Sequence, residues 1–393
     1  MLVTPLGRWS LARLLRPRKK AIQIILLGLA VACQERERVV GRLSAPAAGE
    51  GGSSGADSPA TAGSGNQGTA GVSGTAPVGG AGGGAGASAV VGKEPTDLAV
   101  TTGCGTVRLA VTAADLYWTE SASGRVMTVP IAGGTVREVA TAQSDPGDIA
   151  VDAGGVYWVN RRNGGSVMKK PIPLTDAEPT VLKQGASADG FLALAVRDGV
   201  VYYTQSHDVH AISTDPNVTG DEVVGTAINY DVNPPDGEPS GNPAALAVTN
   251  TTVYWTTAER FGVESDDIQP GIAGYRELGQ SQMNLLLEDI AADGVYAYWA
   301  KGEFLVRARA GTLGDFTVTT TPDAFAVKAF AISEAAAYLA SESGSILVHP
   351  LTPKDPVEPA SVLVVGQPDV TAIALDAARV YWASGCAIRS VAR

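Results

Sequence analysis

The sequence is poor in the residue types that carry most enzyme chemistry and most metal sites. Its 393 residues include three histidines, three cysteines and four methionines, and aromatic residues make up 6% of the chain. With so few imidazoles and thiols, neither a zinc-type ligand cluster nor a His-dependent catalytic triad is indicated. No nucleophile elbow, P-loop or dinucleotide-binding turn stands between a strand pattern and a helix pattern. Apolar runs of about 20 residues, the length of a membrane-spanning helix, are also missing.

The three histidines do not converge. His207 and His210 form an H-x-x-H pair, but they lie in a hairpin pattern and are not presented as zinc ligands on a helix are. His349 is expected near the end of a strand on the opposite face of the domain. We therefore predict no metal ligand and no catalytic residue among them.

The N-terminus resembles an export signal. Residues 1–20 contain six basic residues and no acid, and the apolar run A-I-Q-I-I-L-L-G-L-A-V-A follows them. This order predicts a signal peptide over residues 1–32. The residues Leu29 to Ala32 resemble the lipobox of bacterial lipoproteins, although Ala30 stands where Leu is usual, and the resemblance implies lipidation of Cys33. An ordinary signal cleaved nearby is the alternative.

A tether is predicted over residues 33–94. Between Ser44 and Val90, 34 of 47 residues are Gly, Ala or Ser and none is aromatic, so this stretch cannot bury enough apolar surface to fold. With about 60 residues before the first strand, a flexible coil has a reach of roughly 40 Å. The prediction is a globular domain tethered to the cell envelope. Gln34 stands where an Asp often marks inner-membrane retention in such lipoproteins, which favours the outer membrane or the cell surface.

Charge limits the partners. Removing the signal takes the net charge from −11 to −17, and such an acidic body repels nucleic acid and anionic membrane surfaces. We expect a monomer that contacts a membrane only through its lipid, with a protein or a glycan of the cell envelope as the partner.

A nine-residue phrase occurs seven times, best seen as I-A-V-D-A-G-G-V-Y from Ile149 to Tyr157. A large apolar residue opens it, Ala follows, and a Tyr closes it, usually before Trp. The closing tyrosines are 40, 45, 52, 44, 40 and 43 residues apart, near the period of propeller blades. The remaining closing residues are Tyr117, Tyr202, Tyr254, Tyr298, Tyr338 and Tyr381.

Each unit divides into four short strand patterns separated by turn residues. In the first unit they are Val107–Thr112, Leu116–Glu120, Arg125–Ile131 and Val136–Ala140. Four antiparallel strands per unit of about 40 residues predict an all-β, seven-bladed β-propeller over residues 95–393. The invariant Ala fits the innermost strand, where neighbouring blades crowd together.

The last unit has only three strand patterns. We predict that an N-terminal strand, Thr96–Thr102, closes the ring by pairing antiparallel with Ala387–Ala392. This pairing places Cys104 beside Cys386 and predicts a disulfide in an oxidising compartment.

The second strand patterns of six units resemble the repeats of YWTD propellers and, more loosely, of NHL-like bacterial propellers. Their sequences are L-Y-W-T, V-Y-W-V, V-Y-Y-T, V-Y-W-T, A-Y-W-A and V-Y-W-A. The nearest matches are Tyr117–Thr119 and Tyr254–Thr256, and the resemblance covers about residues 96–393. It implies a fold and a binding role but no reaction. The family's fourth residue, Asp, is replaced in every unit, by Glu120, Asn160, Gln205, Thr257, Lys301, Ser341 and Ser384.

The candidate binding site lies in the irregular units. Thr226 to Pro243 and Ala258 to Gly271 are predicted as long loops on the face that also carries the turn of His207. Clustered acids beside an aromatic ring could bind a cation, a basic partner or a sugar. The predicted binding residues are Tyr230, Asp231, Asp236, Glu238, Arg260, Phe261, Glu264, Asp266, Asp267 and His207.

No resident cofactor is predicted, although the stretch from Asp231 to Gly237 resembles a calcium loop. One residue too many separates Asn233 from Asp236, and no Glu stands where the bidentate ligand belongs. Ca²⁺ therefore stays an alternative, as do plain solvated loops. The sequence favours a non-enzymatic binding or scaffold module; a propeller enzyme of lyase or hydrolase type, with its site at the channel mouth, and a structural envelope protein are the alternatives.

Overall fold

The computed structural model describes residues 92–101, 105, 107–186, 190–218, 220–226, 243–257, 262–268, 276–280, 289–309, 315–351 and 357–393. The predicted signal peptide, Cys33, most of the tether and Cys104 lie outside these ranges. Within them the chain forms 28 strands, and no helix there is long and apolar enough to cross a membrane.

The strands form seven four-stranded antiparallel sheets arranged as the blades of a propeller. Strand β1 is Thr96–Val100. The first blade contains β2 (Val107–Val111), β3 (Asp115–Glu120), β4 (Arg125–Pro130) and β5 (Arg137–Ala140). The second contains β6 (Pro146–Asp152), β7 (Gly155–Asn160), β8 (Ser166–Lys170) and β9 (Thr180–Gln184). The third contains β10 (Leu194–Arg197), β11 (Val200–Gln205), β12 (Asp208–Ser213) and β13 (Asp221–Thr226).

The remaining blades repeat the plan. The fourth contains β14 (Pro243–Val248), β15 (Thr252–Thr257), β16 (Gly262–Asp267) and β17 (Arg276–Gln280). The fifth contains β18 (Ile290–Ala292), β19 (Tyr296–Lys301), β20 (Phe304–Arg309) and β21 (Phe316–Thr320). The sixth contains β22 (Val327–Ile332), β23 (Ala336–Ser341), β24 (Ile346–Pro350) and β25 (Ser361–Val364). The seventh contains β26 (Val370–Leu375), β27 (Arg379–Ser384) and β28 (Ala387–Ala392), and β1 completes it.

The N-terminal strand closes the ring as predicted. β1 pairs antiparallel with β28, from Thr96 opposite Ser390 to Val100 opposite Ala387. Beyond the strand, the Thr101 N–H donates a hydrogen bond of 2.8 Å to the Cys386 carbonyl. The seven-bladed architecture is therefore confirmed, and the strand bounds predicted for the first unit agree with the structure to within two residues.

The core consists of seven hydrophobic clusters, one between each pair of adjacent blades. The repeated Ala lies on each innermost strand, and six of its seven copies are buried. Five tryptophans of the second strands are fully buried farther out, where the gap between blades is wider. They are Trp118, Trp158, Trp255, Trp299 and Trp382.

The fourth residue of the phrase makes the turn between the first two strands. In three blades it is Asp: the Asp376 carboxylate accepts hydrogen bonds from the N–H groups of Ala378 and Arg379, both at 2.7 Å, and from the Tyr381 hydroxyl at 2.6 Å. Asp152 and Asp293 bind their turns and closing tyrosines in the same way. Short polar side chains favour such turns because they bond to the backbone two or three residues on.

Loops emerge on two faces. The upper face carries the turns between second and third strands and the lead-in segments, which run from each fourth strand to the next blade's first strand. The lower face carries the other connections of each blade. The predicted long loop from Ala258 to Gly271 was wrong in part, because it contains β16. This polar segment forms the third strand of the fourth blade, because three of its residues are buried against neighbouring strands. They are Val263, Glu264 and Ser265.

Candidate functional site

The sequence-predicted binding residues are not brought together within the described part of the chain. Six of the ten lie outside it: Tyr230, Asp231, Asp236, Glu238, Arg260 and Phe261. His207 lies in the upper turn between β11 and β12, as expected. His210 points instead into the interface with the second blade, and His349 lies near the lower end of β24, where it is buried.

The acids of β16 depart from the predicted upper cluster. Glu264 is 4% exposed, and its carboxylate accepts a hydrogen bond of 2.6 Å from the Trp255 indole N–H. Asp266 and Asp267 follow toward the lower end of the strand, opposite Val253 and Thr252. β16 runs from the upper face to the lower face, so these two acids lie away from the predicted upper cluster.

Acids in the lead-in segments and at the beginnings of first strands tie neighbouring blades together. Asp148 is 5% exposed, and its carboxylate accepts hydrogen bonds of 3.0 Å from the N–H of Ile149 and from that of Leu194 in the next blade. Asp289 repeats this tie, accepting a bond of 3.1 Å from the Phe330 N–H of the sixth blade. These carboxylates satisfy backbone donors of neighbouring innermost strands.

Two further lead-in acids are held by their own surroundings. Asp145 pairs with Arg161 at 2.7 Å. Burial raises the pKa of Asp323, but hydrogen bonds from Ser343, the Phe325 N–H and Ser341 outweigh this effect, so its pKa lies below the ordinary value. Within the described ranges, no group of three or more His, Cys, Asp or Glu side chains is arranged to hold a metal ion.

Several titratable side chains of the described residues converge between the second and third blades. We call Lys183, Phe191, Tyr203, His210 and Asp221 the blade 2–3 seam. The Tyr203 ring stacks with Phe191, at 5.6 Å between centroids, and with His210, at 5.2 Å. Its hydroxyl donates a hydrogen bond of 2.6 Å to Asp221 Oδ1, while Lys183 pairs with Oδ2 across the blade boundary.

Electrostatics in the seam keep Asp221 ionised and Tyr203 protonated. Burial raises the pKa of Asp221, but hydrogen bonds from Lys183 and Tyr203 and the charge of His210 lower it below the ordinary value. Burial and the bond to Asp221 raise the pKa of Tyr203. His210 Nδ1 lies 3.3 Å from Asp221 Oδ1 but out of line for a hydrogen bond, so this contact is an ion pair only when the imidazole is charged. The arrangement fits a tie between blades better than an acid–base pair.

Sequence reasoning missed this seam, although one signal was present. Tyr203 stands where five other units have Trp, in the text V-Y-Y-T. The acceptor of the Tyr203 hydroxyl, Asp221, lies 18 residues away at the start of β13.

A groove opens below the seam on the lower face. Its volume is about 580 Å³, and its lining includes Leu182, Ile212 and Pro216. Val181 and Val218 border it with 52% and 55% of their surface exposed. Lys169 bridges the two blades by donating to the Thr214 carbonyl at 3.3 Å.

Comparison with known proteins identifies the fold of this chain. No protein-family model and no curated protein matches the sequence. The chain is similar in structure to the WD40 β-propeller domain of Doa1, with a TM-score of 0.56, 11% identity, and coverage of 76% of this chain and 96% of that one. It is also similar to the computationally designed Ika8 protein, with a TM-score of 0.52, 13% identity, and coverage of 76% and 99%. At these identities the likeness shows the propeller fold alone.

Proposed function

We propose that this chain is an exported, lipid-anchored member of the YWTD-like propellers and acts as a non-enzymatic binding or scaffold module for a protein or glycan partner at the cell envelope. The observation that carries the binding role is the groove between the second and third blades. Apolar side chains line it, and two valines at its border remain more than half exposed. Exposed apolar surface of this kind is stabilised when a partner covers it.

The use of the scaffold's acids favours binding over the enzymatic alternative. A lyase or hydrolase site at the channel mouth needs a carboxylate or imidazole that can exchange protons with a substrate. Asp148 and Asp289 accept hydrogen bonds from backbone groups of the next blade, and Asp221 is shared by Lys183 and Tyr203. These hydrogen bonds connect strands and blades of the ring.

Export and anchoring rest on the N-terminal sequence. The basic segment, the apolar run and Cys33 support a lipoprotein signal, and the Gly/Ala/Ser-rich tether supports a domain held clear of the membrane. The proposed location is the outer membrane or the cell surface.

Site-specific photo-crosslinking in intact cells tests the binding role. A photoreactive residue replaces Val181 at the groove, and the matched control replaces Val365 of the sixth blade, which is 48% exposed. We expect a discrete covalent adduct from position 181 and none from position 365. Adducts from neither position, or the same adducts from both, would refute binding at the groove.

The anchor is tested in the same cells with Cys33→Ala. The wild-type chain should partition with membranes and the variant should not. Equal partitioning would remove the lipid anchor from the proposal and leave the groove result unaffected.

A further inference from the structure

The seven repeats provide an internal reference, and the fifth blade departs from it at its lower edge. The seventh residue of its phrase is Tyr296, whereas the other six copies have Asp, Gly, Val, Thr, Ala or Arg. The residue opposite its closing tyrosine is Arg307. In the other blades that position holds Thr, Lys, Ala, Ser, Val or Ser.

The arginine is held by aromatic rings. Its guanidinium carbon lies 4.4 Å from the centroid of the Tyr296 ring, within cation–π distance. Tyr296 in turn meets Tyr298 edge-on, at 6.3 Å between centroids. The Tyr298 hydroxyl donates to Asp293 at 2.7 Å, and Asp293 also accepts from the Tyr296 N–H at 2.8 Å. The support for Arg307 is therefore in place before any partner arrives.

Within the described part of the chain no carboxylate forms an ion pair with this arginine, which donates a hydrogen bond to the Tyr298 hydroxyl that in turn donates to Asp293. Lys169 stands at the same position in the second blade. Lys169 lies 5.7 Å from the Tyr157 ring and also donates to the Thr214 carbonyl of the next blade. Arg307 is half-buried, so part of its hydration is lost, and no carboxylate of the described residues pairs with it.

Apolar surface adjoins the arginine. Phe316 opens β21 directly opposite Arg307 and is 65% exposed. The fourth strands of the other blades begin with Arg, Thr, Asp, Arg, Ser or Thr, so the exposed ring is particular to this blade. Val295, 48% exposed, precedes Tyr296. We call Val295, Tyr296, Arg307 and Phe316 the blade 5 patch.

We propose that the blade 5 patch is a docking surface for an acidic segment of a partner protein, in which a carboxylate is flanked by apolar side chains. Charge complementarity selects this occupant: the guanidinium presents paired N–H donors that match a carboxylate, and the pair offsets the desolvation of Arg307. Phe316 and Val295 pack against the apolar side chains that flank the partner's carboxylate. Tyr, Arg and Phe are enriched in protein interfaces, and Tyr and Arg are also enriched among the residues that contribute most to binding.

Preorganisation supports the same conclusion. An arginine already stacked on a ring loses less side-chain freedom when it binds than one free in solvent. The inference goes beyond the proposed function, which concerns the groove of the second and third blades and is tested separately.

Selection of short random peptides displayed on phage, with the exported full-length protein as bait, tests the patch. The selected peptides are synthesised and titrated by fluorescence anisotropy. We expect them to share an Asp or Glu beside an apolar residue. Arg307→Gln should weaken their binding roughly tenfold or more, as the loss of a charged hydrogen bond does. Arg307→Lys should restore little of it, because an ammonium does not offer the planar fork.

Two further variants guard against misfolding. Phe316→Ala changes an exposed side chain and should weaken binding while leaving the urea midpoint unchanged. The matched control Arg125→Gln alters another half-exposed arginine of a third strand, which pairs with Glu138 at 3.5 Å, and should leave peptide affinity at the wild-type value. The proposal fails if no peptide is selected, if the selected peptides lack carboxylates, or if Arg307→Gln and Phe316→Ala both bind as the wild type does.

Discussion

In this propeller a single side chain can bond both to a turn and to an aromatic residue, and others bond across blades. The carboxylate of Asp376 accepts three hydrogen bonds, two from a turn and one from Tyr381. Where the same position is Thr249 or Ser333, the hydroxyl still bonds to the turn. The turn therefore determines which residue types suit this position, and the turn itself can be recognised from the sequence.

Asp221 ties the blade 2–3 seam and should make stability depend on pH. Its pKa is lower in the folded protein than its ordinary value of 3.8. The stabilisation it contributes is therefore complete above pH 3.8 and is lost as the pH falls through the folded-state pKa. Asp221→Asn should lower the free energy of unfolding by about 1–3 kcal/mol at pH 7, because Lys183 loses its partner.

Urea unfolding at pH 7 and in steps below pH 4 measures this effect. The difference between Asp221→Asn and the wild type should shrink through the acid range. The control Asp198→Asn removes an acid whose side chain is 83% exposed and should change stability by less than about 0.5 kcal/mol at every pH. A difference that stays constant down to the lowest pH would contradict the ionised state of Asp221.

At the scale of the element, two lead-in segments share one design. Ala142 and Asp145 in one, and Gly366 and Asp369 in the other, have positive φ values at matching positions. Each segment places a Gln whose N–H donates to the carbonyl of a turn glycine in the preceding blade. The side-chain carbonyl of the same Gln accepts the indole N–H of its own blade, at 3.0 Å in both cases. The segment thus fixes both the blade and its neighbour.

Gln367→Ala should destabilise the ring by about 1–3 kcal/mol, because the buried Trp382 indole N–H loses its acceptor. Arg389, which donates to the same oxygen at 2.9 Å, loses a partner as well. Urea unfolding measures the change, and the same substitution in a Trp382→Phe background should cost distinctly less. Equal costs in the two backgrounds would show that the indole bond does not stabilise the segment.

At the scale of the whole molecule, the ring is closed by residues about 290 positions apart in the chain. β1 lies against β28, and Thr101 bonds to the Cys386 carbonyl. We predict that Cys104 and Cys386 form a disulfide around a loop of roughly 280 residues, for which chain entropy sets an upper gain of about 5 kcal/mol.

Cys104→Ser, Cys386→Ser and the double variant test this prediction in thermal unfolding of the exported protein. If the thiols are bonded, each single change and the double change should lower the Tm by the same amount. An unreduced tryptic digest should contain the two peptides as one mass. Losses that add, together with two free thiols, would contradict the bond.

Sequence patterns predicted the scaffold well and the surface poorly. Turn and strand patterns depend on residues that are close together in the sequence. Strand bounds such as those of β2 and β28 could therefore be predicted to within two residues. The polar stretch of β16 was misassigned because burial of Glu264 depends on the indole of Trp255, nine residues earlier on the neighbouring strand. Polarity alone did not reveal that this acid has a buried partner.

What the sequence determined by itself was the ring: the number of blades, the position of the small residue on each inner strand and the strand that completes the last blade. The first two follow from a repeated local pattern, because hydrogen bonds within a unit join strands that are neighbours in the chain. The third follows from the strand pattern that the last unit lacks. Only the tertiary structure decided which side chains meet across blade boundaries. Lys183 and Asp221 are 38 residues apart and meet because adjacent blades pack face to face. The blade 5 patch likewise became visible only when strand register placed Phe316 opposite Arg307.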